Sequence, residues 1–597
     1  MTEKRVVLSG NEAIARGAYE SGVRVAAAYP GTPSTEILET LNTHKGMHVE
    51  WSPNEKVALE TGMGAAFGGV RALVVMKHVG VNVAADPLFT LSYTGLRGGL
   101  VLVTADDPEM HSSQNEQDNR NYAKFAKVPM LEPSDSQEAK DFTAMAFQLS
   151  EKFDTPVMLR TTTRVSHSKS IVLTQEPSPP IAPPKLIKDP MKFVMLPANA
   201  RRRHPVVEKR LEDLHLFAET FDGNRIEWGN NKIGIITSGI SYQYAKEAMP
   251  EASFLKLGMV FPLPEKLIRS FASRVEKLFV IEELDPFIEE QVKAMGIEAT
   301  GKTAFPLCGE LTPALVAKGL KGFAPPPLEE ISKTLPPRPP IMCPGCPHRG
   351  IFSILSKLKL FVTGDIGCYT LGFLPPLSAI DTCVCMGASI GHAMGLDKAL
   401  GEDALGKVVA VIGDSTFLHS GITGLLNVVY NKGAVTLIIL DNRTTAMTGR
   451  QDHPGTGFTL QGEEAIQVDL VKLVKALGVK HVKVVNPYQL AVTERVIKRE
   501  IQRPEPSVII ARAPCVLSRR ERAVTGKAFF VSPESCTGCR VCLRLGCPAI
   551  EWVKEEGMNG GGKKRKGKAF IDRFLCNGCT LCEQICKWGA IKEKNGE

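Results

Sequence analysis

The chain contains no run of about 18 uncharged apolar residues, the length a helix needs to cross a bilayer core, so no transmembrane helix is expected. Its first residues, MTEKRVVLSGNEAI, carry charge but lack the apolar stretch and small-residue cleavage site of a secretory leader. The cytoplasm is therefore the expected compartment. Aromatic residues are scarce, at 6%. No aromatic-and-basic surface motif accompanies the formal charge of +8, so nucleic acid is not an expected partner. No short-period repeat is visible, which argues against a solenoid.

What the sequence has in plenty is length and cysteine. At 597 residues it exceeds what one core supports, and three to five domains are expected. Fifteen cysteines in a reducing compartment point to metal ligation or redox chemistry rather than disulfides. Eight of them fall within 51 residues near the C-terminus: Cys536-x2-Cys539-x2-Cys542-x4-Cys547-Pro548, then Cys576-x2-Cys579-x2-Cys582-x3-Cys586. Three cysteines at x2 spacing cap one face of a [4Fe–4S] cubane, and a distant fourth closes the other, taken from the opposite run in two-cluster ferredoxins. Cluster one is thus assigned to Cys536, Cys539, Cys542 and Cys586, and cluster two to Cys576, Cys579, Cys582 and Cys547. A pair of zinc sites is the rival reading of the C-x2-C units, but zinc ribbons use separated pairs, not runs of three. Two departures from the bacterial pattern stand out: four residues rather than three before Cys547, and Lys587 where proline usually follows. Each oxidised cubane with four thiolates adds roughly −2 of charge, so three would nearly neutralise the basic excess. A glycine-rich basic loop, Lys563 to Lys568, lies between the runs. It reads either as a solvated insertion or as a surface steering an acidic electron carrier.

Upstream, apolar strands (VRVAAAYP, ALVVMKHV, LVLVTAD, PVMLRTT) alternate with helical stretches up to about residue 180, the pattern of a parallel α/β sheet. A proline-rich linker over about 175–205 precedes a smaller α/β unit, and APPPLEEISKTLPPRPPIM is a second, stiff linker. A third α/β region carries strands at VVAVIGD, VTLIILDN and SVIIARA.

In that region Gly413-Asp414-Ser415 ends one strand and Asn442 ends the next, 28 residues after Asp414. A strand, a crossover helix and a strand fill that interval, so both side chains should emerge at neighbouring carboxyl ends of one sheet. One carboxylate and one amide suit Mg²⁺, leaving room for a diphosphate and a backbone carbonyl, that of Thr444. The segment resembles the GDG-x(25–30)-N signature of thiamine diphosphate enzymes, with Ser415 in place of the last glycine. The resemblance implies a glutamate against the cofactor's aminopyrimidine ring. Asn54-Glu55 before a helix rich in alanine and glycine fits its setting, with Glu60 the alternative.

Cys343-Pro-Gly-Cys346-Pro-His-Arg, Cys368 in GDIGCYTL and Cys515 after SVIIARAP form a second four-cysteine set. With YPGTPSTE, NEKVALE, GDST and the terminal module in that order, the whole chain resembles the 2-oxoacid:ferredoxin oxidoreductases. The resemblance implies an α/β fold of the following layout: a thiamine pyrimidine-type domain (1–180), a linker and connecting helix (181–230), a transketolase-C-like domain (231–325), a proline-rich linker (326–342), a thiamine diphosphate-binding domain of pyrophosphate type (343–525) and an α+β two-cluster ferredoxin-like domain (526–597). It further implies a third cubane on Cys343, Cys346, Cys368 and Cys515; a zinc site or structural thiols is the alternative. Cys308, Cys383 and Cys385 are expected to pack as small apolar groups.

The implied reaction takes a 2-oxo acid and coenzyme A to acyl-CoA and CO₂, passing electrons singly through the clusters to ferredoxin, with arylpyruvates such as indolepyruvate as substrates. Thr32, His78, His111 and Gln114 lie in stretches that resemble the family's and are candidates to line the substrate pocket. A separate beta subunit and an α2β2 assembly are also implied. A non-oxidative thiamine-dependent decarboxylase and an electron-relay subunit are the competing functions.

Overall fold

The computed structural model describes residues 4–177, 184–322, 339–518, 520–521, 526–555, 557–558 and 564–593. Residues 326–338 of the second linker, 178–183 of the first and Lys563 of the basic loop lie outside them. The chain forms two compact units, 1–335 and 336–597.

The first unit is built on a seven-stranded sheet in the order Met259–Phe261, Met130–Leu131, Val157–Thr162, Leu100–Asp106, Ala72–Lys77, Val25–Ala28 and His48–Trp51. All neighbours run parallel except the Met259–Phe261 edge. Leu100–Asp106 is buried along its whole length, which is why the apolar run LVLV at its start reads as a central strand covered on both faces. A second sheet holds Lys277–Ile281, Asn230–Ser238 and Ala252–Leu257 in parallel, with Arg225–Glu227 antiparallel at its edge. One core runs through both sheets, from Ala58, Val74 and Leu102 to Leu255, Phe271 and Val280. The first linker is shorter than its prolines indicate: Pro197–Ala218 is a helix of 22 residues, with Pro197 at its start, where a missing N–H costs nothing.

The second unit carries a five-stranded, all-parallel sheet in the order Phe361–Thr363, Val408–Gly413, Thr436–Asp441, Ser507–Arg512 and His481–Val485. The cysteine-rich tail adds three short antiparallel pairs among the described residues, Phe529–Val531 with Ile591–Glu593, Ile550–Val553 with Lys568–Ile571 and Gly557–Met558 with Lys564–Arg565. Among the described residues, its apolar side chains share a core with the sheet region. Leu545, Ile550, Ile571 and Leu581 of the tail share one cluster with Ile351, Phe352, Leu355 and Val409 of the sheet region.

Candidate active site

In the first unit, Asn54 closes an extended segment and caps helix Glu55–Phe67, its side-chain oxygen accepting the Val57 N–H at 2.9 Å. This holds Glu55 at the first helical position, where it is buried. Gly80 packs against it, and a Cβ there would stand 2.8 Å from both Cγ and Oε1 of Glu55. Glu60, the alternative, is half exposed and paired with Lys56 at 3.3 Å. The structure therefore separates the two glutamates by environment. Thr32 is half buried in the loop after strand Val25–Ala28, while His111 and Gln114 are exposed. His78 is fully buried, with Nε2 at 3.1 Å from Asn115 O.

Lys77, which the sequence reading passed over, ends strand Ala72–Lys77. Its Nζ donates to Ser112 O at 2.9 Å and Ser113 Oγ at 2.8 Å. Burial pulls this ammonium down to about 8, against the pull of Asp107 and Glu55. A polar residue closing an apolar strand was the signal available.

In the second unit the register pairs Gly413 with Leu440, so Asp414 and Asn442 leave adjacent strand ends as the spacing requires. Asp414 Oδ1 accepts Ser415 N at 2.8 Å and Oδ2 accepts Arg443 N at 2.8 Å. Thr444 N donates to Asn442 Oδ1 at 3.3 Å. Asp414, Asn442 and Thr444 are all buried. Two histidines join them: His348 Nε2 lies 3.3 Å from Asn442 Nδ2, and His453 Nε2 lies 3.4 Å from Asp414 Oδ2. Burial would raise the Asp414 carboxyl, but His453 and the two backbone donors outweigh it and hold it below the usual carboxylate range. Burial pushes His348 down to about 4, with Asp414 opposing. His453 Nε2 is buried without a hydrogen bond. A carboxylate and an amide oxygen at neighbouring strand ends, with two buried histidines beside them, fit a magnesium-bound diphosphate.

The cysteines fall into three neighbourhoods. Burial pushes Cys346 up to about 12, with Cys368 and Cys343 adding to it; burial, then Cys515 and Cys343, push Cys368 up to about 11. Burial, then Cys539, Cys536 and Cys586, push Cys542 up to about 11. Burial, then Cys579, Cys576 and Cys547, raise Cys582. Cys547, Cys576, Cys579 and Cys582 also line one cavity. Thiols so crowded and buried ionise only against added positive charge, which a bound iron–sulfur core supplies. Two of the three remaining cysteines correct the sequence reading: Cys308 and Cys385 are exposed rather than packed away, and Cys383 is half buried.

Comparison with known proteins follows the same division. A family described as pyruvate flavodoxin/ferredoxin oxidoreductase, thiamine diphosphate-binding, matches residues 16–209. The thiamine pyrophosphate enzyme C-terminal TPP-binding domain matches residues 365–511. The chain is 44% identical to indolepyruvate oxidoreductase subunit IorA of Archaeoglobus fulgidus, over 99% of this chain and 97% of that one. It is 42% identical to the same-named subunit of Pyrococcus horikoshii, over 100% and 98%. The 2-oxoglutarate synthase subunit KorA of Methanothermobacter thermautotrophicus is 25% identical over 47% of this chain and 88% of its own.

Proposed function

This chain belongs to the 2-oxoacid:ferredoxin oxidoreductase family, on the branch of the indolepyruvate oxidoreductase alpha subunits, and from that premise we propose that it oxidatively decarboxylates arylpyruvates. Indolepyruvate and related 2-oxo acids react with coenzyme A to give aryl-acyl-CoA and CO₂. Two electrons leave one at a time through [4Fe–4S] clusters to ferredoxin. A beta subunit completes the enzyme as α2β2 in the cytoplasm.

Asp414, Asn442 and the Thr444 carbonyl would hold Mg²⁺ and through it the diphosphate, with Gly413 before Asp414 assigned to the same site, where a Cβ would meet the Tyr369 ring at 2.7 Å. Glu55 is the carboxylate assigned to the aminopyrimidine ring. Thiamine diphosphate, when bound, supplies the electron sink that lets a 2-oxo acid lose CO₂. The twelve cysteines assigned to clusters are Cys343, Cys346, Cys368, Cys515, Cys536, Cys539, Cys542, Cys547, Cys576, Cys579, Cys582 and Cys586.

The observation that carries the oxidative reading is that Cys515 N donates to Asn442 O at 2.9 Å. A candidate cluster ligand and a candidate cofactor ligand thus share one hydrogen-bonded loop pair. A non-oxidative decarboxylase has no use for that adjacency. The test is anaerobic turnover of the chain with its partner subunit on indolepyruvate, coenzyme A and methyl viologen. Viologen reduction that needs both substrates, and that is lost in Asp414→Ala at unchanged iron content, is the expected result. CO₂ release without viologen reduction would replace this reading with a simple decarboxylase, and iron without retained thiamine would replace it with a relay subunit.

A further inference from the structure

Arg349 is almost fully buried, an expensive place for a guanidinium unless its donors find acceptors. Nη1 donates to Leu545 O at 2.6 Å, and Nη2 donates to Met342 O at 2.7 Å and Cys343 O at 3.2 Å. Nε is buried with no hydrogen bond. The same side chain borders the cavity ringed by Cys547, Cys576, Cys579 and Cys582. Its anchors come from both cysteine regions, since Met342 and Cys343 precede Cys346 while Leu545 precedes Cys547. Gly546 takes the left-handed conformation, φ 61°, and its neighbour's carbonyl meets Arg349. The two regions touch again where Asn577 Nδ2 donates to Pro344 O at 3.2 Å, and Tyr488 of the sheet region bridges them, donating its hydroxyl to Gly345 O at 2.7 Å while its carbonyl accepts Gln584 Nε2 at 2.7 Å.

We propose that Arg349 is a positioning residue shared by two clusters: its buried positive charge favours the reduced form of both the Cys343/Cys346/Cys368/Cys515 cubane and the Cys547/Cys576/Cys579/Cys582 cubane, and its free Nε–H serves a cluster sulfur. With both cubanes bound, Arg349 would stand between the two partners of a one-electron exchange, one cubane losing the electron the other gains, with no proton or bond change. Electrons leave by the Cys536/Cys539/Cys542/Cys586 set, whose Cys539 is exposed. A fixed charge inside a low-dielectric region acts strongly on near groups and weakly on distant ones.

The inference rests on the proposal that the thiol sets hold cubanes, and the experiment separates the two. Wild type, Arg349→Gln and Arg349→Lys are purified anaerobically with the partner subunit, assayed for iron and titrated by redox potentiometry with electron paramagnetic resonance. In Arg349→Gln two of three midpoints should move to more negative potential, each by about a tenfold change in the reduced-to-oxidised ratio, or about 59 mV for one electron. The third should stay, and Arg349→Lys should recover most of the shift. Wild type with fewer than three cubanes would sink the parent reading. Three cubanes with unmoved or uniformly moved midpoints in Arg349→Gln would sink this one alone. If the glutamine variant loses iron, Arg349→Lys decides: a partial shift confined to two midpoints supports the role, and loss of iron from both variants reduces Arg349 to a strut.

Discussion

Glu283 is buried just beyond strand Lys277–Ile281, with Oε1 accepting Leu311 N at 3.2 Å and Oε2 lacking any hydrogen bond. Burial pushes its carboxyl up to about 7, while the Leu311 donor and Arg160 oppose the rise. In the unfolded chain the same group titrates at an ordinary carboxylate value, so between there and pH 7 the folded form holds the extra proton. Stability is undiminished below that window and falls as pH rises through it, because a buried charge must form. Glu283→Gln should match wild type near pH 4.5 and be more stable by up to about 3 kcal/mol at pH 8, taking about 1.4 kcal/mol per pKa unit. Urea unfolding of the intact chain at the two pH values measures the difference; an advantage of the variant that is equal at both would refute it. Nothing in the sequence marks Glu283 apart from Glu282 beside it. Their different partners are set by a fold that brings Leu311 and Arg120 to the same strand end.

At the scale of elements, helix His78–Val83 crosses helix Glu55–Phe67 through Gly80. The space a methyl group would take is already filled by the Glu55 side chain. Gly80→Ala should thus push Glu55 off its position and lower turnover at least tenfold, with iron and bound thiamine retained. Unchanged turnover in the viologen assay would remove Glu55 from the catalytic reading. The elements themselves were unevenly legible. Ala72–Lys77, Leu100–Asp106, Val408–Gly413 and Thr436–Asp441 are nearly all buried, and burial on both faces demands the apolar runs that reveal them. His481–Val485 borders the sheet and is mostly half exposed, so its HVKVV carries only a weak signal. Met130–Leu131 is two residues long, too short for any period to show.

At the scale of the molecule, the first unit joins its two sheets by buried charge as well as by apolar packing. Arg120 donates to Asp118 Oδ2 at 2.5 Å and Glu282 Oε2 at 2.6 Å, and Arg160 donates to Asp106 Oδ2 at 2.7 Å. These side chains are essentially inaccessible to solvent. Removing one partner from such a set leaves a buried charge uncompensated. Arg120→Met should destabilise the first unit by about 3–5 kcal/mol, read by calorimetry of the intact chain, while iron content stays at the wild-type level. A loss below about 1 kcal/mol, the range of surface pairs, would show that the network contributes little. No helix among the described residues is long and apolar enough to cross a membrane.

The sequence by itself determined the family and named the candidate ligand sets. Cysteine spacing, a carboxylate and an amide at a fixed interval, and apolar runs of strand length are local patterns, and local patterns survive in one dimension because the ligand geometry or the sheet imposes them. Only the tertiary structure decided what stands beside them: His348 and His453 next to Asn442 and Asp414, Lys77 near Glu55, and Arg349 between two thiol sets. It also merged the cysteine-rich tail into the core of the five-stranded sheet region. Those pairings cross tens to hundreds of residues, and burial, which turns an ordinary arginine or glutamate into a strong electrostatic element, is a property of the packed chain alone.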